Sequence, residues 1–166
     1  MFSLCKGTLS PIVQLPEDAK PDKDLKSILL RLSERNEIYV VSGRGQDNLD
    51  EWLGDLPIGL AAEHGAFLKE AREQVWKPRV PICDESNIGW KEKVLEVLQY
   101  YTERTPGSFI EHKKTSITWH YRQAEEELAN RQAKECLNHI EESILPNHPI
   151  QLLCGKKNLE VSGFLI

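Results

Sequence analysis

Short β-prone runs set between segments of helical period are the feature that most constrains how this chain can fold. Between Asp24 and Arg35 the apolar residues Leu25, Ile28, Leu29 and Leu32 recur at helical spacing, and the run Ile38-Tyr39-Val40-Val41 follows at once. This is the pattern of a helix feeding a buried strand. The strand ends in Ser42-Gly43-Arg44-Gly45. Leu49, Trp52 and Leu53 then mark a short helix stopping near Gly54, and a second apolar run spans Ile58 to Ala62. Strands and helices alternating in this way pair in parallel, so the expected fold class is α/β, with the first half of the chain forming part of a doubly wound lobe.

The pattern changes further along. From Trp76 to Ser86 the chain carries Pro78 and Pro81 and no helical period, which reads as a connector. Gly89 to Glu103 then sets Trp90, Val94, Val97, Leu98 and Tyr101 on one helical face, and Ser108 to Tyr121 alternates like the two strands of a hairpin. Ala124 to Ile144 returns to helix with Leu128, Cys136, Ile140 and Ile144 on one stripe, before Ile150 to Cys154 and Asn158 to Val161 close as short strands. The expected order is α-β-β-α-β-β, a compact second lobe. A length of 166 residues accommodates either one core or two small lobes, and it is the change of pattern that argues for two.

Composition narrows the functional classes. With 21 basic and 26 acidic side chains the net charge is −5, which argues against general nucleic-acid binding. The first apolar stretch, Met1 to Cys5, is too short for a signal-peptide core or a spanning helix, so a cytoplasmic protein with no membrane partner is expected. Cys5, Cys83, Cys136 and Cys154 are widely spaced and read as buried free thiols in a reducing compartment. His64, His112, His120, His139 and His148 lack metal-ligand spacing, and no metal is assigned to them. Neither a Walker loop, a dinucleotide fingerprint nor a Gly-x-Ser-x-Gly elbow occurs.

Two places can carry chemistry. Ser42, Gly43 and Arg44 put a hydroxyl and clustered backbone N–H groups at the carboxyl end of a strand, where ligands of open α/β sheets bind and a phosphate oxygen finds donors. A plain turn with Ser42 capping the next helix accounts for the same residues equally well. Gly7-Thr8 is a candidate second phosphate loop. In the hairpin, Glu111 and Lys113 stand two apart and project from one strand face, a carboxylate beside an ammonium, a pair that a sugar's hydroxyls can use. The competing account is a solvated ion pair. Lys114, Lys156 and Lys157 add local positive charge, and Lys156 with Glu160 repeats the pairing of Lys with Glu.

Six segments together carry a resemblance. Gly7-Thr8-Leu9-Ser10-Pro11-Ile12-Val13, Val41-Ser42-Gly43-Arg44, Ala62-Glu63-His64-Gly65, Arg104 to Glu111, Thr118-Trp119-His120-Tyr121-Arg122 and Asn158-Leu159-Glu160-Val161 resemble the fungal trehalose-6-phosphate phosphatase domain of the haloacid dehalogenase superfamily. The resemblance implies a Rossmann-like phosphatase core with an inserted α/β cap, here residues 1–80 as a partial core, 81–161 as cap and 162–166 as a divergent tail. It also implies that Ser42, with Gly43 and Arg44 in the same loop, contacts phosphate, and that Glu111, Lys113, Arg122, Lys156 and Glu160 recognise trehalose. In the intact family an Asp-x-Asp pair attacks phosphorus, acts as acid and base, and helps hold Mg²⁺.

In this chain the alignment puts Leu4 at the nucleophile position and Lys6 at the acid/base position. Leucine cannot attack phosphorus, and a lysine opposes a cation by like charge. The metal motif that follows Val161 in the family is replaced by Ser162-Gly163-Phe164-Leu165-Ile166. No catalytic residue, metal ligand or cofactor is therefore expected in the chain as given. The expectation is a trehalose-phosphatase-like pseudoenzyme or regulatory subunit of trehalose biosynthesis, binding trehalose 6-phosphate and working beside synthase and phosphatase subunits. The alternatives are an incomplete gene model of an active Mg²⁺-dependent phosphatase and an unstable fragment with a deficient core.

Overall fold

The structure, a computed structural model, describes residues 2–3 by their backbone and residues 20–79 and 89–163 in full. Leu4, Lys6, Gly7, Thr8, Cys5, Cys83, most of the proline-bearing connector and the tail from Phe164 to Ile166 lie outside the described residues. The chain divides into two compact units, Met1–Val80 with Ile166 and Pro81–Leu165.

The first unit contains β1 (Phe2–Ser3), α1 (Lys23–Ser33), β2 (Tyr39–Val41), α2 (Gln46–Leu53), β3 (Gly59–Ala62), β4 (Phe67–Lys69) and β5 (Lys77–Pro78) in one sheet of order β1-β2-β3-β4-β5. As expected, β1, β2 and β3 run parallel, with Val40 opposite Leu60. Every residue of β3 is buried, as in a strand covered on both faces. Val40, Leu49, Leu53 and Ile58 complete the core beside it.

Three features depart from the sequence reading. The stripe on α1 is covered at Leu29 but not at Ile28, which is 53% exposed, or at Leu32, which is 38% exposed. Helical period defines a face, and packing partners decide whether that face is covered. The chain also turns back after β3 to add β4 and β5, both antiparallel, so the segment read wholly as a connector holds an edge strand. A two-residue strand ending in proline carries no period to detect and is tolerated only at a sheet edge. It is tied down by side chains: Lys69 pairs with Asp50, whose other oxygen accepts from Trp76 Nε1 at 2.7 Å.

The second unit contains α3 (Gly89–Glu103), β6 (Phe109–His112), β7 (Ser116–His120), α4 (Glu126–Ser143), β8 (Gln151–Gly155) and β9 (Asn158–Ser162), with an antiparallel sheet of order β6-β7-β9-β8. The α-β-β-α-β-β order is as expected. Strand β9 runs to Ser162, and the Gly163 N–H donates to Thr115 O at 3.2 Å, so these residues continue the sheet. Helix α4 opens at Glu125, whose carboxylate accepts from the N–H groups of Glu127 and Leu128; those bonds hold its carboxyl below the usual range.

Period two divides the second sheet. Ile117, Trp119, Leu159 and Val161 face α3 and α4, packing with Trp90, Val94, Leu98, Cys136 and Ile140. Cys136 is the buried thiol expected, its pKa pushed up to about 12 by burial, whereas Cys154 is exposed, contrary to the reading of all four as buried. Cys154 lies where β8 turns toward β9, and alternation alone places it without saying whether anything covers it.

Candidate functional site

Each unit assembles one cluster. In the first, the end of β3 clamps the loop after β2 through three backbone bonds of 2.9 Å: Ser42 N–H to Ala61 O, His64 N–H to Ser42 O, and Glu63 N–H to Arg44 O. Making them forces two successive non-glycine residues into the left-handed region, Glu63 at φ 47° and His64 at φ 59°. Each such residue costs about 1–3 kcal/mol and persists only where its surroundings over-determine it. The His64 ring lies so close to Gly43 that a Cβ there would stand 2.6 Å from its Nε2. Glycine at this position is therefore a matter of space.

Ser42 is 2% exposed, and its Oγ accepts from the Arg44 N–H at 3.2 Å. The capping account of Ser42 is corrected: α2 is capped by Gly45 and receives no side-chain capping bond. Arg44 places its guanidinium 5.4 Å from the centre of the Trp52 ring, a cation–π contact. The left-handed pair is not legible in the sequence, because Glu is a residue type that rarely takes a positive φ and a histidine, though enriched there, does so too seldom to announce it.

In the second unit, Glu111 on β6, Thr118 on β7 and Glu160 on β9 are direct cross-strand partners, so three polar side chains share one row on the face turned away from the helices. Two carboxylates thus flank a hydroxyl. Lys113, whose N–H donates to Ser116 O in the turn after β6, sends its ammonium to Glu160 Oε2 at 3.3 Å, and Ser116 Oγ donates to Glu160 Oε1 at 2.7 Å. Both charged side chains are 8% exposed. Lys113 thus pairs across the sheet with Glu160, a partner its spacing does not name, and that pair is buried.

Glu111 instead meets His120, whose Nε2 lies 2.7 Å from Glu111 Oε2 and whose ring stacks on Phe109 with centroids 4.8 Å apart. His120 was set aside in the sequence. The signal was available in its spacing, since it stands two residues after Thr118, on the polar face. Arg122 and Lys156 are brought together at one end of this sheet, beyond β7 and in the turn between β8 and β9, where Arg122 donates to the backbone carbonyl of Lys156. Lys157 is committed elsewhere, to Glu126 and Asn130 on α4 at 2.9 Å each, and does not add charge to the polar face. Lys114 lends its carbonyl to Lys91 of α3, which braces the turn.

The Thr118 hydroxyl is buried and has no hydrogen-bond partner among the described residues. Leaving such a group unpaired costs about 1–3 kcal/mol. T118V, which keeps the shape and removes the hydroxyl, is expected to raise the stability of the chain by about 1 kcal/mol in a urea titration. A fall of that size would show that the hydroxyl is bonded.

Among the described residues no group of three or more His, Cys, Asp or Glu side chains could hold a metal ion, and no helix is long and apolar enough to cross a membrane.

A family model described as trehalose-phosphatase matches residues 5–163. The chain is 43% identical over 158 residues to alpha,alpha-trehalose-phosphate synthase (UDP-forming) B of Dictyostelium discoideum, covering 93% of this chain and 19% of that protein. It is also 43% identical over 159 residues to trehalose-phosphatase of Zygosaccharomyces rouxii, covering 93% of this chain and 17% of that protein. Among solved structures, the C-terminal domain of trehalose-6-phosphate phosphatase from C. albicans superposes with a TM-score of 0.91 at 41% identity, over 97% of this chain and 55% of that one. The chain spans about a fifth of the length of the curated relatives it matches.

Proposed function

This chain belongs to the trehalose-phosphatase family, and from that premise we propose that it recognises trehalose 6-phosphate without hydrolysing it. Residues 81–161 act as the sugar-binding cap in this reading, and residues 1–80 as a partial phosphatase core. The observation that carries it is the row Glu111, Thr118, Glu160, which sets two carboxylates on one polar face of a sheet whose other face packs Ile117, Trp119, Leu159 and Val161 against the helices. Carboxylates accept from sugar hydroxyls, and Lys113, Arg122 and Lys156 supply donors near by. Ser42, Gly43 and Arg44 take the phosphate in this reading: with the N–H groups of Ser42 and Arg44 donating to Ala61 O and Ser42 Oγ, the Ser42 hydroxyl, the Gly43 N–H and the Arg44 guanidinium are the groups that suit a dianion.

Turnover is set aside because Leu4 and Lys6 stand where the family's nucleophile and acid/base align. A missing nucleophile removes many decades of rate. Relatives named for both synthase and phosphatase, such as the bifunctional protein of Thermoproteus tenax, 41% identical over 157 residues, support a regulatory place beside those activities. The unpaired Cys136 thiol suits a cytoplasmic setting.

Calorimetric titration with trehalose 6-phosphate, followed by assay of released inorganic phosphate with Mg²⁺ present, tests this. Binding without release is expected. Absence of binding refutes recognition, and release above the buffer rate refutes the non-catalytic reading. That second outcome would favour an active phosphatase within a longer protein, which the 43% identity to the Zygosaccharomyces rouxii trehalose-phosphatase supports.

A further inference from the structure

We propose that His64 is the positioning residue of the phosphate loop, holding Gly43 so that its backbone N–H is aimed at a phosphate oxygen. The inference rests on the reading of Ser42, Gly43 and Arg44 as the phosphate site. Two of the three backbone donors of that loop are already used, the Ser42 N–H by Ala61 O at 2.9 Å and the Arg44 N–H by Ser42 Oγ at 3.2 Å. The Gly43 N–H is the donor that remains for an anion, and a bond on the other side of the same peptide group sets its direction. His64 N–H donates to Ser42 O at 2.9 Å. A trans peptide is planar, with its carbonyl and its N–H pointing opposite ways, so a Ser42 carbonyl turned toward His64 turns the Gly43 N–H away from it.

The ring of His64 holds Gly43 a second time. An ideal Cβ on Gly43 would lie 2.6 Å from the ring's Nε2 and 2.8 Å from its Cε1, so the imidazole fills the space that a side chain at position 43 would need. Nε2 is itself buried, which leaves the ring no open solvent to swing into on that side. The backbone beneath the ring is held as well. Glu63, His64 and Gly65 take positive φ in succession, at 47°, 59° and 98°, and such a run persists only where its surroundings over-determine it. Glu63 N–H donates to Arg44 O at 2.9 Å, so the run grips the loop on both sides of Gly43. Gly43 has no positive φ of its own; the ring, and not the backbone conformation, is what excludes a side chain there.

The test titrates the full chain with inorganic phosphate and follows the amide resonance of residue 43, so that phosphate bound elsewhere does not enter the reading. G43A keeps the N–H but collides with the ring, and is expected to weaken binding about tenfold; H64G, which removes the ring, should weaken it about fivefold. In the H64G background, G43A should cost less than about twofold, because the space its Cβ needs has been opened. Equal losses from G43A in both backgrounds, no loss from G43A in the wild-type chain, or an H64G affinity equal to wild type would each overturn the inference. If H64G does not fold, G43A decides alone: weaker phosphate binding with the amide resonances of the second unit unchanged is expected, and wild-type affinity overturns the inference. A wild-type chain whose Gly43 resonance ignores phosphate overturns the phosphate-site reading and this inference with it, whereas a phosphate response indifferent to both substitutions overturns the inference alone.

Discussion

Replacing Lys113 by alanine is expected to lower the stability of the chain by about 3 kcal/mol, a loss out of proportion to one lysine near a turn. The Lys113 and Glu160 side chains are each 8% exposed, and removing the ammonium leaves a carboxylate in an environment that offers little water. Buried pairs are asymmetric in this respect. Breaking one costs several kcal/mol, while exchanging both members for apolar side chains of similar volume is close to neutral. K113A should therefore unfold at clearly lower urea concentration than wild type, and the double replacement K113M/E160L should recover most of the difference. The comparison is informative whichever way it falls. A K113A midpoint equal to wild type would mean that the pair is hydrated and that the polar face is open to solvent. Should K113M/E160L prove as stable as wild type yet lose trehalose binding, the pair serves recognition and not the fold.

Removing the Trp119 ring is the other large effect. Trp119 is wholly buried at the centre of β7, on the face that meets α3 and α4, and truncating it to alanine is expected to cost about 4 kcal/mol through lost burial and the cavity left behind. Its indole N–H has no hydrogen-bond partner among the described residues, so phenylalanine forfeits no bond there. W119F, which leaves a smaller cavity than alanine does, is accordingly expected to cost about 2 kcal/mol. Thermal melts of the two variants check both figures. An alanine variant that melts with wild type would mean that the helices do not pack on this sheet. Because Trp119 lies between Thr118 and His120, W119A should also abolish trehalose binding, while W119F should retain it.

What the sequence disclosed and what it withheld divide along physical lines. Elements held by period were legible: Trp90 to Tyr101 declared one face of α3, and the alternation through Ile117 and Trp119 declared β7. Elements held by single contacts were not. Strand β5 exists because Lys77 and Pro78 find an edge beside Phe67 and Leu68, which no local pattern announces. The exposed Ile28 and Leu32 show the converse, a good helical stripe whose coverage depends on other parts of the protein. The resemblance names Glu111, Lys113 and Glu160, which the structure brings to one polar face, but it does not name their pairing. Spacing along β6 put Lys113 next to Glu111, whereas the turn at 113–115 and the register with β9 gave it to Glu160 and left Glu111 to His120. Long-range register is set by the whole sheet.

Strand β7 carries two kinds of residue on alternate positions, Ile117 and Trp119 toward the helices and Ser116, Thr118 and His120 toward the polar face. Length, and not only composition, is therefore constrained here. Inserting or deleting one residue inside β7 would exchange the two sets, driving a hydroxyl and an imidazole into the apolar layer while Trp119 turned outward. Folding would fail, and with it the trehalose recognition proposed for the polar face. Lineages of this domain can accept changes of length where the chain turns, between β6 and β7 or between β8 and β9, far more readily than within the strands, so alignments of its relatives should keep these strands free of gaps.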